Sequence, residues 1–147
     1  MNLLPVTPDT INLPAVISSG FLTGLCHSIL TLYPVSGPVF PWVGYFCMEQ
    51  DIIVGTCAFK SLPKNGVVEI AYFTFPGYEG QGKATRMASE LVAIAGSQKI
   101  QKVIAQTLPE HNASTRILQK LQFTFADIVQ HPDDGEVWEW EYSFSIR

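Results

Sequence analysis

The chain has 147 residues, 47% of them hydrophobic and 15% charged, with a net charge of -4. That is the size of one globular domain, expected over residues 1–147, and the apolar share excludes wholesale disorder. The mild acidity argues against a nucleic-acid binder that neutralises phosphates with a basic patch.

Residues 3–6 read as a short first strand, and residues 18–33 as a helix with Phe21, Leu22, Leu25, Ile29, Leu30 and Leu32 on its apolar stripe. No Asp, Glu, Lys or Arg lies between Asp9 and Glu49. Serines, threonines and glycines make this stretch too polar for a spanning helix, and Pro34, Pro38 and Pro41 break any helix beyond Tyr33. It is expected to be a buried or partner-facing region rather than a membrane segment. Residues 42–48 and 52–59 read as two strands, and the Asn65-Gly66 pair as a tight hairpin turn into a third over 67–75. The pattern then changes to helical spacing over 82–97, returns to a strand over 102–107, and implies a parallel right-handed crossover. A second helix is expected over 112–121. Two strands, 123–129 and 137–144, close the chain, with Trp138, Trp140, Tyr142 and Phe144 on one face and Glu139 and Glu141 on the other. The result is an α/β chain with a mixed sheet.

Cys26, Cys47 and Cys57 sit in apolar stretches without C-x-x-C spacing, which fits reduced core thiols in a cytoplasmic protein. The first ten residues lack the pattern of a secretory signal. His111 and His131 read as a helix-start and a turn residue, and His27 as a buried histidine in the uncharged helical region. No histidine has a metal-ligand partner at useful spacing, so no metal is expected.

The informative segment runs from Phe75 to Thr85, between a strand and a helix. Its glycines allow a sharp turn and expose consecutive backbone N–H groups at a helix start, a site for phosphate or pyrophosphate. Gly77 to Lys83 fits the first seven positions of a Walker A loop, but Ala84 stands where the Mg²⁺-binding hydroxyl belongs. The dinucleotide pattern gets Gly80 and Gly82 and then meets Thr85. The acyl-CoA loop [Q/R]-x-x-G-x-[G/A] matches Glu79-Gly80-Gln81-Gly82-Lys83-Ala84 except at its first position.

Three segments in order carry a resemblance. Glu69-Ile70-Ala71-Tyr72-Phe73 is similar to an E-I-G-Y-W strand, Tyr78 to Thr85 to a Y-x-G-x-G-[YK]-A-T loop, and Asn112 to Phe123 to an N-(x)-A-S-x-R-x-L-x-K-x-G-F region. Together they resemble the GCN5-related N-acetyltransferase (GNAT) family, in its ribosomal-protein-acetylase-like branch. The resemblance covers residues 40–144 well and the first 40 in outline.

The resemblance implies a mixed sheet of six or seven strands, helices on both faces, and splayed fourth and fifth strands, here residues 67–75 and 102–107. It implies acetyl-CoA as cosubstrate, its pantetheine arm pairing with the end of the fourth strand at Phe73, Thr74 and Phe75. The pyrophosphate would lie on Glu79, Gly80, Gln81, Gly82, Lys83, Ala84 and Thr85, with Asn112 and Ser114 touching the CoA arm. An amine acceptor would attack the thioester, with Glu69 as base and Ser114 hydrogen-bonding the leaving sulfur. The tyrosine that many members use as acid is replaced by Leu118. Glu79 puts a carboxylate near a pyrophosphate, and Gln122 stands where a glycine precedes Phe123. The leading expectation is an acetyl-CoA-dependent N-acetyltransferase; these departures lend some weight to the alternative, a non-catalytic acyl-CoA-binding or protein-interaction module on the same scaffold. The uncharged region before Met48 predicts an acceptor site with few fixed charges. Family members are often dimers, and the apolar helical region offers a surface for one.

Overall fold

The computed structural model describes residues 1–144. Seven strands form one sheet in the order β1-β2-β3-β4-β5-β7-β6. They are β1 (Asn2–Pro5), β2 (Gly44–Glu49), β3 (Ile52–Phe59), β4 (Val67–Thr74), β5 (Lys102–Thr107), β6 (Thr124–His131) and β7 (Gly135–Ser143). Only β4 and β5 run parallel, joined by the crossover helix α3 (Lys83–Ser97) as the strand–helix–strand order requires. Between β3 and β4 the chain turns on Asn65 and Gly66, both at positive φ (54° and 77°), while Lys64 and Val67 exchange hydrogen bonds of 3.0 Å.

The expected helix over 18–33 is α2 (Gly20–Leu30), and a separate short helix that the apolar spacing does not predict, α1 (Pro14–Ile17), precedes it after a 3₁₀ turn at Pro8–Asn12. The serines between the two helices keep them apart. Ser18 Oγ donates back to Pro14 O at 2.8 Å, while Ser19 caps α2 by accepting from Leu22 N at 3.1 Å. His27, expected to be buried, is exposed on α2.

The helices lie on both faces of the sheet. Beneath α1 and α2, Val16, Cys26 and Ile29 pack on Val6, Phe46, Ile53 and Phe75. On the opposite face α3 and α4 (Ala113–Lys120) pack Met87, Leu91 and Leu118 on Val68, Ile70, Val103 and Trp140. Gly55 lets α3 sit close, because a Cβ there would lie 2.8 Å from Phe73 O and 3.1 Å from Met87 Cε. All three cysteines are buried and free, and burial pushes each thiol up, away from thiolate reactivity. No helix among the described residues is long and apolar enough to cross a membrane.

The first two helices cover only the β1–β3 half of their face. Over β4, β5 and β7 that side stays open, with Ala71 and Phe73 exposed and Glu69, Gln106, Glu139 and Glu141 half-buried.

Candidate active site

Pairing between β4 and β5 runs from Val67↔Lys102 to Ile70↔Ala105 and stops. Beyond that point β4 stays on β3, through Gly55↔Thr74, and β5 stays on β7, through Thr107↔Trp138. The strands therefore part, and residues 71–74 leave one backbone edge without a strand partner. Unpaired edge N–H and C=O groups of this kind take up an extended chain.

A cavity of about 700 Å³ opens from this gap. Tyr72, Phe73 and Thr74 form its β4 wall. The loop and first turn of α3 contribute Glu79, Gly80, Gly82, Lys83, Ala84 and Thr85. Ser114, Arg116, Ile117 and Lys120 line it from α4. Glycine is required in the loop because Gly80 and Gly82 hold φ of 75° and 77°, and a Cβ at either would project into open space. Arg86 N is the first amide of the segment with a backbone acceptor, Gly82 O at 3.1 Å. The amides of Gly80 to Thr85 have none among the described residues, so they are free for an anion at the positive end of a 15-residue helix. Arg116 and Lys120 add cationic charge, neither with a carboxylate within 4.0 Å among the described residues.

Not every expected binding residue lies in this cavity. Phe75 is 7% exposed and packs beneath α2 instead. Gln81 faces the far side of the loop, beside Met1 and Glu49. Asn112 spends its side chain on α4: Oδ1 accepts from Thr115 N at 3.2 Å and Nδ2 donates to Glu110 at 3.2 Å. Leu118 is fully buried in the core, so a tyrosine there would meet packed side chains and not the cavity that Ser114 and Ile117 line. Gln122 holds φ of 70°, so the turn keeps a left-handed backbone at a residue other than glycine.

Lys83 is 8% exposed, and its ammonium is bound by Glu49 of β2, with Arg86 Nη1 3.6 Å from the same carboxylate. The Lys83 hydrogen bond holds the Glu49 carboxyl below the usual carboxylate range. A depressed folded pKa contributes stability above the unfolded value that is lost as pH falls through the folded one. Urea midpoints of wild type and Glu49→Gln should therefore differ at pH 7 and converge on descent below pH 4.5. A gap that stays constant down to pH 2 would contradict the pairing.

Glu69 lies on β4 beside the last paired residues, on the open face. Its Oε2 is closed off from solvent and has no hydrogen-bond donor in line, although Lys60 Nζ stands 3.3 Å away as a charge partner. Ser114 is on the cavity wall, and its carbonyl accepts a long hydrogen bond, 3.4 Å, from Tyr72 Oη. Burial pushes the Tyr72 phenol well above its ordinary pKa, so it is protonated at neutral pH. The sequence alone assigns no role to Tyr72, or to Arg116 and Lys120, whose i, i+4 spacing on one helix was the available signal.

A sheet split between two parallel strands, with a free strand edge leading to a helix N-terminus, is the architecture of a GNAT-type acyltransferase. The model of the family described as the Acetyltransferase (GNAT) domain matches residues 32–124, and the chain belongs to that family and to its class of N-acetyltransferases. No curated protein matches significantly. Among solved structures, a candidate phosphinothricin N-acetyltransferase superposes with a TM-score of 0.71 at 13% identity, over 99% of each chain. The microcin C7 self-immunity acetyltransferase MccE, in complex with acetyl-CoA and AMP, gives 0.69 at 12% identity over 84% of this chain and 71% of its own. RimL, a ribosomal L7/L12 α-N-protein acetyltransferase in complex with coenzyme A, gives 0.67 at 14% over the same 84% and 71%. At these identities the likeness is one of fold.

Proposed function

We propose that the protein moves an acetyl group from acetyl-CoA directly to a primary amine, a protein N-terminus or a small molecule. The observation that carries this reading is the continuity of the unpaired β4 edge with the unbonded amides of Gly80 to Thr85 along one cavity. An extended arm and a pyrophosphate need those two features in that order. The volume also falls in the ordinary range for ligand sites, roughly 300–1,000 Å³.

Acetyl-CoA supplies an activated acetyl group as a thioester; the chain's residues must do the rest. Phe73 and Thr74 offer backbone groups to the arm, and the loop amides with Arg116 and Lys120 take the phosphates. Free amides on the β4 edge polarise the carbonyl as an oxyanion hole does. An aliphatic amine is protonated at neutral pH, and Glu69 Oε2, lacking a donor, is the group suited to take its proton. Tyr72 Oη holds a proton on the opposite side, donated at 3.4 Å to Ser114 O, and would turn it to the leaving sulfur.

Calorimetric titration tests the reading. Acetyl-CoA and desulfo-CoA should bind at micromolar concentration and ATP should not; no acetyl-CoA binding would overturn it. Release of free thiol with an amine panel then separates an enzyme from a binding module. The Tyr72 role has its own test. Tyr72→Phe should weaken CoA about tenfold through loss of a hydrogen bond to sulfur, and leave desulfo-CoA unchanged. Equal weakening of both ligands would reduce Tyr72 to a packing residue.

A further inference from the structure

On the open side of the sheet, the two lips of the β4–β5 gap carry different chemistry. The β4 lip presents Ala71 and Phe73, the latter 52% exposed. Its ring lies 5.9 Å from Phe75, which in turn meets Phe21 of α2 edge-on at 5.1 Å, and Phe21 is 58% exposed. The α2 end of this lip belongs to the region without a charged residue between Asp9 and Glu49, so nothing on it receives an ion.

Across the gap, β5 and β7 present Gln106 and, paired with it in register, Glu139. Three glutamates share the open face of the sheet, Glu69 on β4 and Glu139 and Glu141 on β7. Glu69 is paired with Lys60 at 3.3 Å and Glu141 with Lys102 at 3.1 Å. Glu139 has no cation within 4.0 Å among the described residues; its contact is Gln106 Nε2 at 3.4 Å. Asp127, one strand farther from the gap, bonds the adjacent amide of Ile128 at 2.8 Å. Glu139, one strand behind the far lip, is thus the glutamate left without a lysine. A half-buried carboxylate across a gap from exposed aromatic surface is complementary to a cation that carries an apolar group.

We propose that the acceptor is a primary amine bearing one uncharged apolar group, its ammonium drawn to Glu139 and its apolar group laid against Phe73 and Phe21. This rests on the acetyl-transfer reading and narrows it. The expectation of few fixed charges then holds for the α2 side of the site, while the sheet contributes one uncompensated carboxylate. Polycations are disfavoured because Glu69 and Glu141 are already paired with lysines, which leaves a second and third ammonium without a free carboxylate on this face among the described residues. Acidic amines are disfavoured by Glu139 itself.

The test is a steady-state comparison of 2-phenylethylamine, isopentylamine, ethylamine, spermidine and glutamate at saturating acetyl-CoA. The two apolar amines should exceed spermidine and glutamate in kcat/KM by at least about tenfold. Glu139→Gln should raise KM for 2-phenylethylamine about tenfold with kcat within about twofold, because it removes binding and not proton transfer. Calorimetry of 2-phenylethylamine into CoA-loaded protein should show the same weakening without turnover. Phe73→Ala should narrow the preference for 2-phenylethylamine over ethylamine. A best rate with spermidine, or an unchanged KM in Glu139→Gln, overturns the inference while acetyl transfer stands. Absence of acetyl-CoA binding to the wild type removes both.

Discussion

Gly82→Val should abolish measurable acetyl-CoA binding while leaving a folded protein. Gly82 holds φ of 77°, and the Cβ added there meets no protein atom within 4 Å. The stability cost is therefore the backbone cost of a left-handed residue, roughly 1–2 kcal/mol. In a domain of this size that lowers Tm by several degrees, at about 2–4 °C per kcal/mol. The binding cost is larger. A β-branched residue sheds part of that cost by relaxing away from the left-handed φ, which turns the amides from Gly80 to Thr85 away from a common anion. Hydrogen bonds to charged groups contribute roughly 1.5–3 kcal/mol each, so losing two lowers affinity at least about a hundredfold. Gly77→Ala is the matched control. Its φ is 94°, its added Cβ also meets nothing, and it does not line the cavity. Calorimetry should give it near wild-type affinity at a similar loss of Tm. Equal loss of affinity in both variants would mean that loop strain, and not the anion cradle, governs binding.

The features that govern this prediction were legible because each is local. Asn65-Gly66 marks a turn by its tolerance of positive φ, Pro76 stops β4, and the glycines before Lys83 require a tight loop into a helix. Alternation on β7 separates Glu139 and Glu141 from the tryptophans without tertiary information. What could not be read depends on contacts far apart in the chain. Lys83 looks like a loop cation free for phosphate, yet Glu49, 34 residues earlier, binds its ammonium. Asn112 matches a motif position, but a helix N-cap uses the same oxygen that a ligand contact would need. The four-residue helix α1 could not be read because it is too short for any apolar periodicity to show, although Ser19 caps the helix that follows it. Leu118 faces the core and Ile117 the cavity, a choice set by how α4 rolls on Trp140 and Phe123.

Glu69→Gln should lower kcat by about 10²–10⁴, the usual contribution of a positioned base, without changing acetyl-CoA affinity. The amide keeps the size of the side chain and lies outside the residues lining the cofactor cavity, so binding has no reason to move. What it removes is the proton acceptor. Glu69 Oε2 is sealed from water and accepts no in-line hydrogen bond, so the Lys60 ammonium is its compensation among the described residues. Lys60 Nζ balances its charge from 3.3 Å at a position 43% exposed, and an ion pair that open contributes no more than about 1 kcal/mol. Lys60→Met should accordingly keep kcat within a few fold, which separates the charge partner from the base. If Glu69→Gln turns over at the wild-type rate with acetyl-CoA binding intact, the amine's proton leaves by water alone. The donorless oxygen would then be a cost of folding with no catalytic return.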